Sequence, residues 1–121
     1  MNLLMVFLGG GLGSLCRYGI ALGIKPMELI FPYATLIANA LSCIILGTFV
    51  ALANTDILND HFKLMVMTGF CGGFSTYSTF TNETYQLLEI GNYTFAFLNI
   101  FGNLFLCLLC IFIGLQLGKQ F

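Results

Sequence analysis

Four apolar segments, each long enough to cross a lipid bilayer, dominate the sequence. They cover residues 2–24, 29–53, 64–90 and 93–118, and the connections between them are short. A membrane-spanning helix needs about 20 apolar residues, whereas a barrel strand needs about 10 residues of alternating polarity. Backbone groups in hydrocarbon must also be hydrogen-bonded within the protein. We therefore predict an all-α integral membrane protein with four transmembrane helices in a single domain.

The scarcity of charge excludes several other classes of protein. Only 7% of the residues are charged and the net charge is −1, whereas an ordinary soluble domain carries about 25% charged residues. No cluster of Lys and Arg is present to neutralise phosphates, so nucleic acid is not an expected partner. One histidine, with neither a phosphate-binding loop nor a nucleophile paired with a base, does not indicate an enzyme. We expect a multi-pass protein in contact with lipid, in a plasma or bacterial inner membrane.

The cysteines are interpreted as packing residues. All of them lie in apolar segments, where cysteine behaves as a small hydrophobic residue. Cys107 and Cys110 form a C-x-x-C pattern, but no second ligand pair accompanies it, so a metal or redox role is not predicted from this motif. The complete set is Cys16, Cys43, Cys71, Cys107 and Cys110.

The basic residues are balanced across the predicted membrane. Lys63 and Lys119 fall on the side that holds the N-terminus, and Arg17 and Lys25 fall toward the other side. Because an excess of Lys and Arg normally retains a loop in the cytoplasm, an even distribution gives an inserting chain little reason to choose one orientation. We therefore hypothesise that both orientations occur and that the chain forms an antiparallel homodimer.

The third apolar segment is not an ordinary helix sequence. Residues 69–81 read GFCGGFSTYSTFT, which combines glycine, hydroxyl and aromatic side chains at membrane depth. Gly72 and Gly73 weaken a helix, and a broken helix frees carbonyl and amide groups that lipid cannot satisfy. Such breaks commonly present carbonyls to cations and amides to anions. We predict a functional site here, although packing glycines and hydroxyls bonded to their own helix are the structural alternative.

Polar side chains of the other segments lie at a similar depth. Asn39 is in the middle of the second segment, while Asn99, Asn103 and Cys107 recur every four residues and so share one helix face. Glu83 follows the third segment's aromatic residues, and an intramembrane carboxylate is a functional candidate by default. Hydrogen bonding between helices is the alternative role for these groups.

This collection of groups suits a small anion. Amide and hydroxyl donors can replace its hydration water, and the ring edges of Tyr77 and Phe80 carry the positive part of the aromatic quadrupole. A small proton-coupled multidrug exporter is the rival of similar length, but it needs an acidic residue in its first helix. Residues 2–24 contain no Asp or Glu.

Three stretches together resemble the Fluc/CrcB family of fluoride channels over nearly the whole chain. They are GGGLGSLCRY in the first segment, PYATLIANALSCIILG in the second and GFCGGFSTYSTFTNE in the third. The resemblance implies an antiparallel, dual-topology dimer of four-helix subunits with two pores. It also implies passive fluoride export that confers fluoride resistance.

The resemblance further implies the residues that line the pore. The matching positions are an asparagine in the second segment, aromatic and hydroxyl residues with a nearby carboxylate in the third, and amides in the fourth. Arg17 matches the family's arginine in the first helix. The pore positions are Asn39, Tyr77, Ser78, Thr79, Phe80, Glu83, Asn99 and Asn103.

A structural sodium ion at the dimer centre is a second implication of the resemblance. The family holds this ion through backbone carbonyls of the broken third helix, and the matching positions are Gly72 and Ser75. Ser75 stands where the family usually has threonine, but it still offers its carbonyl.

Two further departures bear on conduction. Tyr77 replaces the first pore phenylalanine and Asn99 replaces a pore tyrosine, so the added tyrosine hydroxyl is expected to slow the passage of fluoride. This unusual pore set leaves open a non-conducting subunit that pairs with a paralogue in a heterodimeric channel.

Overall fold

The computed structural model describes all 121 residues as helices joined by short turns, without strands. Three of its helices are long and apolar enough to cross a membrane, while the third predicted span is divided into two shorter helices. The prediction of an all-α membrane protein is confirmed. The helices are α1 (Asn2–Ile24), α2 (Tyr33–Leu52), α3 (residues 60–74), α4 (Tyr77–Glu89) and α5 (Tyr93–Gly118), with a 3₁₀ turn at Lys25–Met27 after α1.

Local sequence explains where two helices begin later or earlier than expected. The second predicted segment started at residue 29, but α2 begins at Tyr33 because Pro32 occupies the N-cap position and restricts the residue before it. The third predicted segment started at residue 64, but α3 begins at Asp60. There the Asn59 side chain caps the helix by accepting a hydrogen bond of 2.8 Å from the His61 N–H.

The third predicted span is broken, but not at its paired glycines. Gly72 and Gly73 lie within the last helical turn of α3, and the chain is extended at Ser75 (ψ 155°) and Thr76 (φ −150°, ψ 127°). α4 starts directly afterwards because the Thr76 hydroxyl accepts a hydrogen bond of 3.3 Å from the Thr79 N–H. Hydroxyl capping, rather than glycine flexibility, therefore places the break.

The glycines instead allow helices to pack closely. A β-carbon added at Gly13 would collide with the Phe70 carbonyl, and one added at Gly73 would collide with the Gly10 carbonyl, so α1 and α3 touch backbone to backbone. A β-carbon at Gly114 would likewise strike the Ile44 carbonyl, which brings α5 against α2. Small residues at helix contacts are typical of membrane proteins, where van der Waals packing rather than burial from water joins the helices.

The outer faces of the bundle are apolar. Leu3 of α1 is 88% exposed, and Phe105 of α5 is 64% exposed. A soluble domain would bury such side chains, but lipid solvates them without cost. The interior holds small and polar groups, including Ala38 and Asn99, so the polar residues of the second, third and fourth predicted spans are brought together inside the bundle.

Candidate functional site

Asn39 links α2 to the break between α3 and α4. Its Oδ1 accepts a hydrogen bond of 2.9 Å from the Thr76 N–H, and its Nδ2 donates a bond of 3.1 Å to Asn103 Oδ1 on α5. A second, longer contact of 3.4 Å runs from Nδ2 to the Thr76 carbonyl. One amide side chain thus satisfies a backbone donor that the break would leave unpaired at membrane depth.

A chain of amides continues from Asn103 into the bundle. Asn103 Nδ2 donates to the side-chain oxygen of Asn99 at 2.9 Å, and Asn99 Nδ2 donates to the Thr84 hydroxyl at 2.8 Å. The expected spacing of four residues does place the two α5 asparagines on one face. Asn99, however, is completely buried, so it supports Asn103 and contacts no open space within the chain.

Beside this network lies a groove of about 460 Å³ between α2, α4 and α5, which we call the amide groove. Two amides, a hydroxyl cap, two aromatic rings and two thiols face it. The rings of Tyr77 and Phe80 lie side by side, with centroids 5.8 Å apart and planes tilted by 44°. The lining residues are Asn39, Cys43, Ser75, Thr76, Tyr77, Phe80, Ile100, Asn103, Leu104 and Cys107.

A second cavity, of about 290 Å³, lies between α1, α2 and α4, and we call it the carboxylate groove. Arg17 of α1 and Glu83 of α4 both face it without forming an ion pair. Glu83 Oε1 accepts a hydrogen bond of 2.8 Å from the Thr35 hydroxyl, whereas its Oε2 is buried without a partner. Thr79 also lines this cavity, so the predicted pore residues of α4 are divided between two grooves.

The remaining predicted positions lie at the surface of the single chain. Ser78 is exposed next to the break, and its hydroxyl is 3.4 Å from that of Thr76. Gly72 is exposed too, and a β-carbon there would meet open space. Tyr77 is 80% exposed, so this chain covers only a small part of its ring.

The break leaves several carbonyls without their helical donors, among them those of Gly72 and Ser75. In a continuous helix the Thr76 N–H would bond to the Gly72 carbonyl, but it bonds to Asn39 instead. The Thr79 N–H would bond to the Ser75 carbonyl, but it bonds to the Thr76 hydroxyl. Neutral carbonyl oxygens suit a hard cation. The positions that the sequence indicated for sodium therefore fit such an ion chemically.

Sequence reasoning missed several members of the site. Thr76 is the cap of α4, and a threonine just before a helix is a recognised N-cap signal. Thr35 and Ser42 share the face of α2 that carries Asn39, at spacings of four and three residues, which the helical period could have revealed. Ser42 donates a bond of 3.1 Å to the Cys71 carbonyl. The approach of Cys43 to the groove had no local sequence signal.

Comparison with known proteins gives consistent results over the whole chain. Residues 4–115 match the family described as "CrcB-like protein, Camphor Resistance (CrcB)". Three curated relatives each bear the name "Fluoride-specific ion channel FluC". The one from Phocaeicola vulgatus is 40% identical, with 98% of each chain covered. The one from Dehalococcoides mccartyi strain BAV1 is 43% identical, covering 98% of this chain and 92% of the relative, and the one from Pyrococcus abyssi is 40% identical, covering 99% and 100%.

Proposed function

The chain belongs to the CrcB-like protein family, and we propose that it is a subunit of a passive fluoride channel that exports cytoplasmic fluoride and confers fluoride resistance. The observation that carries this proposal is the break held by Asn39, which lines a groove at membrane depth with amide and hydroxyl groups. Fluoride is small and strongly hydrated, so a path must offer donors in place of its water.

The amide groove supplies such donors without a fixed cation. Asn39 Nδ2 carries two hydrogens, of which one bonds to Asn103 and the other makes only the long contact of 3.4 Å to the Thr76 carbonyl. That weakly held hydrogen is the one available to an anion. The edges of the Tyr77 and Phe80 rings add positive potential. Because no Lys or Arg faces this groove, an anion is not bound so tightly that it cannot leave.

We propose that two chains in antiparallel orientation complete the pores. The exposed Tyr77 ring, the exposed hydroxyl of Ser78 and the open space beside Gly72 are surfaces that a second copy would cover. Arg17 is assigned a structural role at the carboxylate groove, where it faces Glu83. A homodimer is the simplest assembly, and a heterodimer with a paralogue is the alternative.

The same dimer centre would hold the structural sodium ion. Gly72 and Ser75 would offer their carbonyls, and a symmetry-related copy would double the number of oxygen ligands. The ion would neutralise the partial negative charge of these carbonyls and fix the relative position of the two breaks. It takes no part in moving fluoride.

The rival exporter lacks support in this chain. α1 contains no acidic residue, and the intramembrane carboxylate of Glu83 lies on α4, bonded to Thr35. Proton-coupled exchange needs a carboxylate that substrate and protons reach in turn. One oxygen of Glu83 is buried and the other is occupied, which is a poor arrangement for that cycle.

Fluoride efflux from liposomes that contain only the purified chain tests the proposal. A fluoride electrode should record passive efflux on addition of a potassium ionophore, whereas chloride-loaded vesicles should show none. Absence of fluoride efflux from vesicles with correctly folded dimers would reject a self-sufficient channel. Co-expression with the paralogue would then test the non-conducting subunit.

A further inference from the structure

Four of the five free cysteines lie near one another in the bundle, and only Cys16 of α1 lies apart. Cys43 is on α2 and Cys107 is on α5, and Cys71 of α3 and Cys110 of α5 lie near Cys43. Cys71 and Cys110 are buried, whereas Cys43 and Cys107 are partly exposed. Cys107 is close to Cys110 in sequence, whereas in the fold it lines the same groove as Cys43, which precedes it by 64 residues.

Of these four thiols, only those of Cys43 and Cys107 line the amide groove. Cys43 follows Asn39 by one turn of α2, and Cys107 follows Asn103 by one turn of α5. One helical turn rises about 5.4 Å, so the two thiols lie about that far along the groove from the two bonded amides. Anything held between the sulfurs would therefore occupy the groove next to Asn39.

We propose that Cys43 and Cys107 form an inhibitory binding site for a soft, thiophilic metal cation. A tetrahedral ion with metal–sulfur bonds of about 2.3 Å holds two sulfurs about 3.8 Å apart, a separation within reach of two side chains that each lie one turn beyond a pair of hydrogen-bonded amides. Binding releases the proton of each thiol, so one divalent ion replaces two protons and no oxidant is consumed. Thiolates prefer soft cations to sodium, magnesium or calcium.

The site is incomplete by the standard of a structural metal centre. No set of three or more His, Cys, Asp or Glu side chains is arranged to hold a metal ion anywhere in the chain. Two thiolates with water in the other positions bind reversibly and less tightly than a closed four-ligand site. This arrangement suits a blocking ion that enters from water and is removed by a chelator.

The functional consequence rests on the proposed fluoride channel. A divalent cation bound by these thiols would lie in the groove next to Asn39, and its charge would hold fluoride rather than release it. Inhibition should therefore be complete at saturation and should reverse when the ion is chelated.

Cadmium titration of fluoride efflux, paired with direct binding, tests the site. Micromolar Cd²⁺ should block efflux from liposomes, and EDTA should restore it. Cys43→Ser and Cys107→Ser should each raise the half-blocking concentration by at least about tenfold, the smallest loss typical of damaged metal sites. Cys16→Ser, on the exposed face of α1, is the control and should leave the block unchanged. Ultraviolet thiolate-to-cadmium charge transfer reports binding independently of flux.

The two readouts separate the proposals. If a chain that conducts no fluoride still shows the charge-transfer band when Cd²⁺ is added, the metal site stands and only the proposed channel function is rejected. An unchanged block, or unchanged charge transfer, in the Cys43→Ser Cys107→Ser double variant would overturn the site. Equal loss of block in Cys110→Ser would also overturn it, because that buried thiol does not line the groove.

Discussion

The Oδ1 of Asn39 accepts a hydrogen bond of 2.9 Å from the backbone N–H of Thr76, the last extended residue before α4. The bond crosses from one membrane span to the break in another, and it takes the donor that a continuous helix would give to the Gly72 carbonyl. The same interaction therefore shapes the amide groove and leaves without its helical donor the Gly72 carbonyl, which we propose as a sodium ligand. A substitution at this position is expected to disturb both.

Asn39→Asp should reduce fluoride efflux by at least about tenfold, or roughly 1.4 kcal/mol in the barrier. The aspartate can still accept from Thr76, but it has no hydrogen to give to Asn103 Oδ1, and its charge repels an anion. Efflux from liposomes measures the change. Asn54→Asp, in the exposed turn after α2, is the matched control with full activity. Equal efflux from the two variants would exclude Asn39 from the path.

Tyr77→Phe should increase efflux by about two- to tenfold. The ring is 80% exposed and the hydroxyl bonds to no group within the chain, so the fold loses nothing. A hydroxyl donor worth about 0.5–1.5 kcal/mol prolongs the stay of a bound anion by that factor. Initial efflux rates at equal protein density give the comparison. A slower variant would mean that the hydroxyl is a necessary donor.

Phe80→Ile should suppress efflux while the protein remains folded. Isoleucine preserves much of the apolar contact, but it lacks the aromatic ring that lines the amide groove and therefore the positive ring edge that an anion could contact. Phe112→Ile is the matched control because this ring is 56% exposed on the outer face of α5. Comparable rates for the two variants would contradict an edge contact between Phe80 and the anion. Size-exclusion profiles must match wild type for both.

Gly73→Ala should destabilise the fold of the single chain, whereas Gly72→Val should weaken the dimer or its dependence on sodium. A β-carbon at Gly73 strikes the Gly10 carbonyl of α1, so we expect a loss of about 1–3 kcal/mol in the free energy of unfolding. A side chain at Gly72 meets open space within the chain, so that variant should fold. It should instead weaken dimerisation or sodium dependence.

Thermal unfolding in detergent and dimer cross-linking separate these effects. The Gly73→Ala protein should unfold at lower temperature. The Gly72→Val protein should unfold at the wild-type temperature when monomeric but cross-link poorly. Normal dimers with normal sodium dependence for Gly72→Val would remove this residue from the proposed sodium site.

The sequence was sufficient to predict the helices because the bilayer imposes a length on each apolar segment. The fourth segment, residues 93–118, matches α5 to the residue. The position of the break was less predictable, because the sequence offers two candidates. One is the glycine pair Gly72 and Gly73, and the other is the hydroxyl cap at Thr76. The structure places the break at the cap, where the side chain of Asn39, 37 residues away in sequence, bonds to the Thr76 N–H.

Asn99 shows why spacing could not complete the site. The period of four correctly placed Asn99 on the same helix face as Asn103. Periodicity does not show, however, how deeply each side chain on that face is buried. Thr84 of α4 approaches this face and bonds Asn99, which closes it from the groove. Whether a polar side chain faces a groove or a neighbouring helix depends on packing between distant segments.

The balanced charges give a last prediction, about orientation. Replacing Asn54 and Asp56 with lysine adds positive charge to the side that holds both termini, since both residues lie in the exposed turn between α2 and α3. A reporter at Phe121 should then appear only in the cytoplasm, whereas in the unmodified chain it should appear on both sides. If the pores need antiparallel pairs, fluoride resistance should fall although the protein is made.

Co-expression with an oppositely biased chain should restore that resistance. Glu28 and Glu89 are exposed at the other end of the bundle, so replacing both with lysine favours the reverse orientation. Each biased chain alone would meet only parallel copies of itself, while the mixture supplies both orientations and can form the antiparallel pair. Full resistance from either biased chain alone, with its reporter confined to one side, would reject the antiparallel dimer. Failure of the mixture to conduct, with both reporters correctly placed, would contradict it equally.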